Sequence, residues 1–92
     1  MTLKSTIALG NARVGFRGRI HALHINGSST GLPDHELERR LIELGFVEGA
    51  KVELLHEGLF GRDPIAVRVA DTTIALRRQE AMAVLVDADA PA

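Results

Sequence analysis

The sequence predicts a small, mainly β domain that closes as a barrel, with one amphipathic helix between its first and second strands and a short C-terminal helical turn. Three observations carry this reading. Leu37, Leu41 and Leu44 recur at helical spacing, and the pattern stops at Gly45. Ile65, Val67 and Val69 alternate with Ala66 and Arg68, the period of a half-buried strand. Five short strand-like runs are separated by turn residues, with little helix left over, which is the pattern of a small closed barrel.

The first strand is read from Phe16 to Ile25, with Phe16, Ile20 and Ala22 on one face and Arg17, Arg19 and His21 on the other. Gly18 within it marks a bulge or a sharp bend. Residues 26–31 form a turn-rich linker containing Ser28, Ser29 and Thr30, and Pro33-Asp34 opens the helix with Asp34 as its cap. The helix runs from Asp34 to Leu44 and turns Arg39, Arg40 and Glu43 toward solvent. Gly45 suits the left-handed residue beyond a helix end, and Phe46 packs back onto Leu41 as in a Schellman-type stop. Val47 to Ala50 is a turn that needs positive φ at Gly49, leading into a strand from Lys51 to Glu57 with Val52 and Leu54 inward. A loop from Gly58 to Asp63 precedes the strand of Ile65, Val67 and Val69. Ala70 to Thr73 turns the chain into a strand from Ile74 to Arg77, followed by a helical turn from Arg78 to Met82 and a closing strand from Val84 to Val86. Residues 1–86 thus make one domain, and 87–92 an acidic, proline-containing tail expected to fray.

A chain of 92 residues, 46% hydrophobic and 25% charged, suits one compact domain. A core this size leaves little interior for an enclosed active site, so a site is expected at the surface. Eleven Lys and Arg balance twelve Asp and Glu for a net charge of −1, which is not the footprint of a nonspecific nucleic-acid binder. The absence of cysteine excludes disulfides, thiolate zinc sites and a cysteine nucleophile, and is compatible with a cytoplasmic setting. Apolar runs such as residues 81–86 fall far short of the ~20 residues that span a bilayer, and polar residues break up the N-terminus too early for a secretory leader. There is no G-x-x-x-x-G-K-[ST] phosphate loop and no nucleophile paired with a base, so an enzyme is not expected.

Several motifs occur in one order: Leu37-x-x-x-Leu41-x-x-Leu44-Gly45-Phe46-Val47-x-Gly49, then Val52-x-Leu54, Asp63-Pro64-Ile65-x-Val67-Arg68-Val69, and Ile74-Ala75-Leu76-Arg77-Arg78-x-Glu80-Ala81. In this the chain resembles the FeoA-like family of ferrous iron uptake systems, over nearly its whole length. The resemblance implies an SH3-like β-barrel in the cytoplasm that acts with FeoB, the membrane permease carrying a GTPase domain through which ferrous iron is imported. It implies a partner module and not the pore; with the residue readings above, no required cofactor and no direct membrane insertion are expected. Glu48 stands where the family often has proline, Arg62 is an extra residue before Asp63, and Asp71-Thr72 replaces a more usual glycine turn. These departures lie in loops and bear on partner contacts more than on fold. The same barrel ends iron-dependent repressors of the DtxR type, but this sequence carries no helix-turn-helix segment.

The candidate partner-binding residues are Leu59, Phe60, Arg62, Arg68, Arg77 and Arg78. Leu59-Phe60 is the conspicuous apolar pair in a loop, either meeting a partner or folding under the barrel as a lid on the core. Arg68, Arg77 and Arg78 suit an acidic face or a nucleotide phosphate, or are ordinary solvated strand-edge charges. The competing function is a small transition-metal-binding or metal-sensing protein using His35 and Glu38, one helical turn apart, or His21 and His24. On a regular strand His21 and His24 face opposite sides and do not chelate one ion, while His56 is plain surface. An adventitious divalent ion, Zn(II) or Fe(II), bridging surface histidines of two molecules is the metal chemistry such residues permit. Self-association is compatible with the sequence. Nucleic-acid binding through Arg13, Arg17 and Arg19 is disfavoured by the near-neutral charge and 3% aromatic content.

Overall fold

A computed structural model describes residues 6–25 and 33–89. The strands are β1 (Thr6–Ala8), β2 (Arg17–Leu23), β3 (Lys51–Phe60), β4 (Asp63–Val69), β5 (Thr72–Leu76) and β6 (Val84–Ala88). A 3-10 turn (Leu9–Asn11) follows β1, α1 (Asp34–Glu43) precedes β3, and α2 (Arg78–Ala81) joins β5 to β6. The strands form one antiparallel sheet in the order β1-β6-β2-β3-β4-β5. The sheet wraps a single core to which Leu9, Ile20, Val52, Leu54, Ile65, Val67, Val69, Leu76, Val84 and Val86 all contribute. The mainly β, SH3-like architecture is as expected, but the barrel is not closed by hydrogen bonds, since β1 and β5 are both edges. Instead the 3-10 turn after β1 packs against α2 after β5. β1 has no counterpart among the expected strands, because three residues are too short to show a period.

Helix α1 buries Leu37 and Leu41 and exposes Arg39, Arg40 and Glu43. Its stop has the expected form. Phe46 N–H donates to Leu41 C=O and Gly45 N–H to Ile42 C=O, both at 3.0 Å, with Gly45 at φ 106°, the paired bonds of a Schellman motif. Phe46 and Leu41 are both fully buried. At the other end the cap is Pro33, not Asp34. Pro33 C=O accepts from Glu36 and Leu37, and Asp34 sits inside the first turn with Glu36, where a carboxylate complements the helix dipole.

Three corrections concern local pairing. The β2 bulge lies at His21, where the register against β6 shifts between Ile20 and Ala22; Gly18 is instead a close approach, where a Cβ would stand 2.1 Å from Asp87 C=O. β6 continues to Ala88, with Arg19 opposite Asp87 and Gly18 opposite Ala88, so fraying does not begin at residue 87. Residues 90–92 of the expected tail and the linker over 26–31 lie outside the described residues. The turn before β5 is the two-residue Ala70-Asp71, left-handed at its first residue, Ala70 (φ 53°), where glycine is the usual occupant.

One side chain holds the open side of the sheet together. Arg78, 15% exposed, donates from Nη1 to Gly10 C=O (3.0 Å) and Ala12 C=O (2.8 Å), from Nε to Arg62 C=O (2.9 Å) and from Nη2 to Glu57 Oε1 (2.8 Å). Its own backbone N–H donates to Asp63 Oδ1 at 2.8 Å. Hydrogen bonds from a charged donor contribute about 1.5–3 kcal/mol each, and carbonyls left dry and unpaired are costly. Arg78→Met should therefore destabilise the domain by about 3 kcal/mol in urea unfolding, and Arg78→Lys should recover less than half of that, because a point-like ammonium does not reach around the guanidinium fork. In the same assay Ala70→Gly should add about 1 kcal/mol by relieving a left-handed alanine.

Candidate functional site

The segment read from the sequence as a loop over 58–63 is the end of a β-hairpin. β3 runs on to Phe60 and β4 begins at Asp63, with Phe60 opposite Asp63. The two-residue turn is Gly61-Arg62, at φ 65° and 61°, the double left-handed pattern of a type I′ turn. Arg62 is thus the second residue of a tight turn and not part of a long loop. Its unusual backbone is matched by a side-chain tie across the turn, Nε to Glu57 Oε1 at 3.3 Å. β3 reaches this turn through two one-residue bulges, between Leu54 and His56 and between Glu57 and Phe60. Gly58 lies in the second, where a Cβ would stand 1.7 Å from Asp63 C=O. The hairpin therefore needs glycine there, for close approach and not for φ.

Leu59 is 95% exposed and Phe60 89% exposed, so Phe60 is no lid on the core. The other large apolar residues at the surface, Ile7, Val14, Ile42, Val47 and Met82, are between 37% and 49% exposed. Under the tip lies a charged clasp in which Glu57 accepts from both Arg62 and Arg78 while Arg78 also ties down the Arg62 carbonyl. The tip is an apolar pair on a braced stem.

The six candidate partner residues separate into distinct places. Leu59, Phe60 and Arg62 share the tip. Arg78 is beneath it and engaged internally, neither a solvated edge charge nor a free contact residue. Arg77 follows Leu76, which pairs with Ile65, so it lies at the tip's end of the sheet and is exposed. Arg68 stands at the far end of β4, about 16 Å from Asp63 by strand rise. It is opposite Glu53, which pairs with Arg17 at 3.3 Å, and with Lys51 and Asp89 they line a shallow groove of about 350 Å³. Glu57 is the site residue that the sequence reading misses; its signal is an acid and a base, Glu57 and Arg62, flanking a Gly-x-x-Gly segment.

The metal candidates do not converge. The β2 bulge reverses the alternation, so that Leu23 and Ile25 pack on the core and His24 joins His21 on the outer side, correcting the expectation of opposite faces. His21 Nδ1 lies 3.1 Å from Asp87 Oδ2, and Asp87 Oδ1 accepts from Thr6 Oγ1. His35 and Glu38 are exposed on α1 beside Arg39 and Ile42. Among the described residues no three His, Asp or Glu side chains are grouped to hold a metal ion, and no helix is long and apolar enough to cross a membrane.

Comparison with known proteins adds an independent line. No curated protein matches the chain. The solved zinc complex of Stenotrophomonas maltophilia FeoA, a prokaryotic SH3 domain protein and candidate ferrous iron transport activating factor, is 30% identical with a TM-score of 0.70, covering 94% of this chain and 91% of that one. FeoA of Chlorobium tepidum is 28% identical at a TM-score of 0.73, over 91% of this chain and 71% of that one. A manganese-dependent transcriptional repressor shares the fold alone, at 19% identity and a TM-score of 0.72, over 96% of this chain and 44% of the repressor. The FeoA domain model matches residues 7–88, and the chain belongs to the FeoA family.

Proposed function

We propose that this protein is a cytoplasmic accessory module of ferrous iron uptake that docks on FeoB, with the Leu59-Phe60 hairpin tip as the primary contact. The observation that carries this reading is the near-complete exposure of two adjacent large apolar side chains on a stem that β pairing and the Glu57 clasp hold in one shape. Full burial of each side chain is worth about 1.5–3 kcal/mol, enough for the pair to dominate a small interface. Ordering the loop before binding lowers the entropy lost on docking. Arg77, exposed at the same end of the sheet, gives the contact a cationic flank suited to an acidic rim. Family membership supports the iron-uptake context, and the S. maltophilia relative, a candidate ferrous iron transport activating factor, supports a regulatory role.

The test is the Leu59→Ala, Phe60→Ala double variant. Because neither side chain is in the core, its unfolding free energy should lie within about 0.5 kcal/mol of the parent. Its affinity for the soluble cytosolic domain of FeoB, measured by titration with and without a GTP analogue, should fall by at least about 30-fold, and ferrous iron uptake should fall with it. Unchanged binding and uptake by a folded variant would remove the tip from the mechanism.

A further inference from the structure

Strand β5 ends the sheet, and no described strand pairs along its outer edge. Its backbone groups divide by parity. Ala70 N–H donates to Lys51 C=O at 3.1 Å, so the even-numbered positions at this end of β4 face β3, and Val69, Val67 and Ile65 face Thr72, Ile74 and Leu76. The N–H and C=O groups of Thr73 and Ala75 therefore point to the open edge, and both residues are exposed. Sheet edges are commonly guarded by lysine, proline or a bulge. Thr72–Leu76 has no charge or proline, and its pairing with β4 shows no register shift. Beyond it the edge is occupied, since Arg77 N–H donates to Glu80 Oε1 and Arg77 C=O accepts from Ala81.

We propose that this edge pairs with β5 of a second copy of the chain, antiparallel and centred on Ile74. In that register Thr73 lies opposite the partner's Ala75, so the residues with outward-facing backbone groups meet each other. Asp71 and Arg77 stand three residues before and after the centre, which places each Asp71 opposite the partner's Arg77. Both side chains are exposed, and neither forms an ion pair among the described residues. Centring on Thr73 would set Asp71 against alanine, and centring on Ala75 would set Arg77 against threonine, so the charges select one register and a copy of the same strand as occupant. Ile74, half-buried against the core, meets its counterpart at the two-fold axis, where side chains approach most closely. So short an interface belongs to the weak class, with a dissociation constant of about 100 μM.

Sedimentation equilibrium between about 10 μM and 1 mM should show a monomer–dimer equilibrium. Ala75→Pro removes one outward N–H without touching the β4 pairing and should leave a folded monomer at every concentration. Arg77→Asp should weaken the dimer about tenfold through its two symmetric pairs, and adding Asp71→Arg should restore it. Amide exchange at Thr73 and Ala75 should slow as concentration rises. A parent protein that stays monomeric at ~1 mM, a folded Ala75→Pro variant that still dimerises, or a charge-swapped double variant no tighter than Arg77→Asp would each overturn the proposal. If Ala75→Pro does not fold, the charge swap, made at exposed positions, decides alone.

Discussion

The Arg78 guanidinium is the constraint on which the rest of this structure depends. A six-stranded sheet with two free edges does not close on itself, and β1 is too short to do so. Four hydrogen bonds from one planar cation fasten the N-terminal turn, the hairpin turn and the end of β3 to α2. The bonds are directional and the cation is largely shielded from water, so they specify geometry where the apolar core supplies only cohesion. Arg40, 3.5 Å from Glu80, adds a weaker link from α1 to the same short helix.

That constraint also serves the candidate site. The Gly61-Arg62 turn holds a non-glycine residue in the left-handed region, which is costly unless its surroundings hold it there. Here they do: Glu57 takes the Arg62 side chain and Arg78 takes its carbonyl. Leu59 and Phe60 are therefore displayed by a hairpin tied to the core, not by a loose loop. The domain presents its most exposed apolar side chains at the end of a stem, while the buried residues pack into one cluster.

The outer face of the sheet has a different character. Arg17, Glu53 and Arg68 lie in register across β2, β3 and β4, alternating in sign along the ladder. Such a face is well solvated and repels nonspecific association. β5, the longer of the two edge strands, lacks this protection along its edge, with Asp71 and Arg77 only at its ends. The two exposed features, an apolar tip and an uncharged edge, are thus separate in chemistry: one offers side chains, the other backbone.

What the sequence determined by itself is whatever local periodicity and turn chemistry encode. The helix, its glycine stop with Phe46 on Leu41, the positive φ at Gly49 and the alternation of Ile65, Val67 and Val69 are all legible from neighbours a few residues apart. The apolar pair at 59–60 was visible too, though whether it faced the core or water was not. Tertiary structure decided the rest, because the deciding partners are distant in sequence. Arg78 meets Gly10 and Ala12 across 68 and 66 residues, the need for Gly58 comes from Asp63 on the opposing strand, and the bulge that turns His24 outward exists only against β6. A strand's phase can be read from its own residues, but a bulge, an open edge and the acceptors of a half-buried cation are properties of what the strand is packed against.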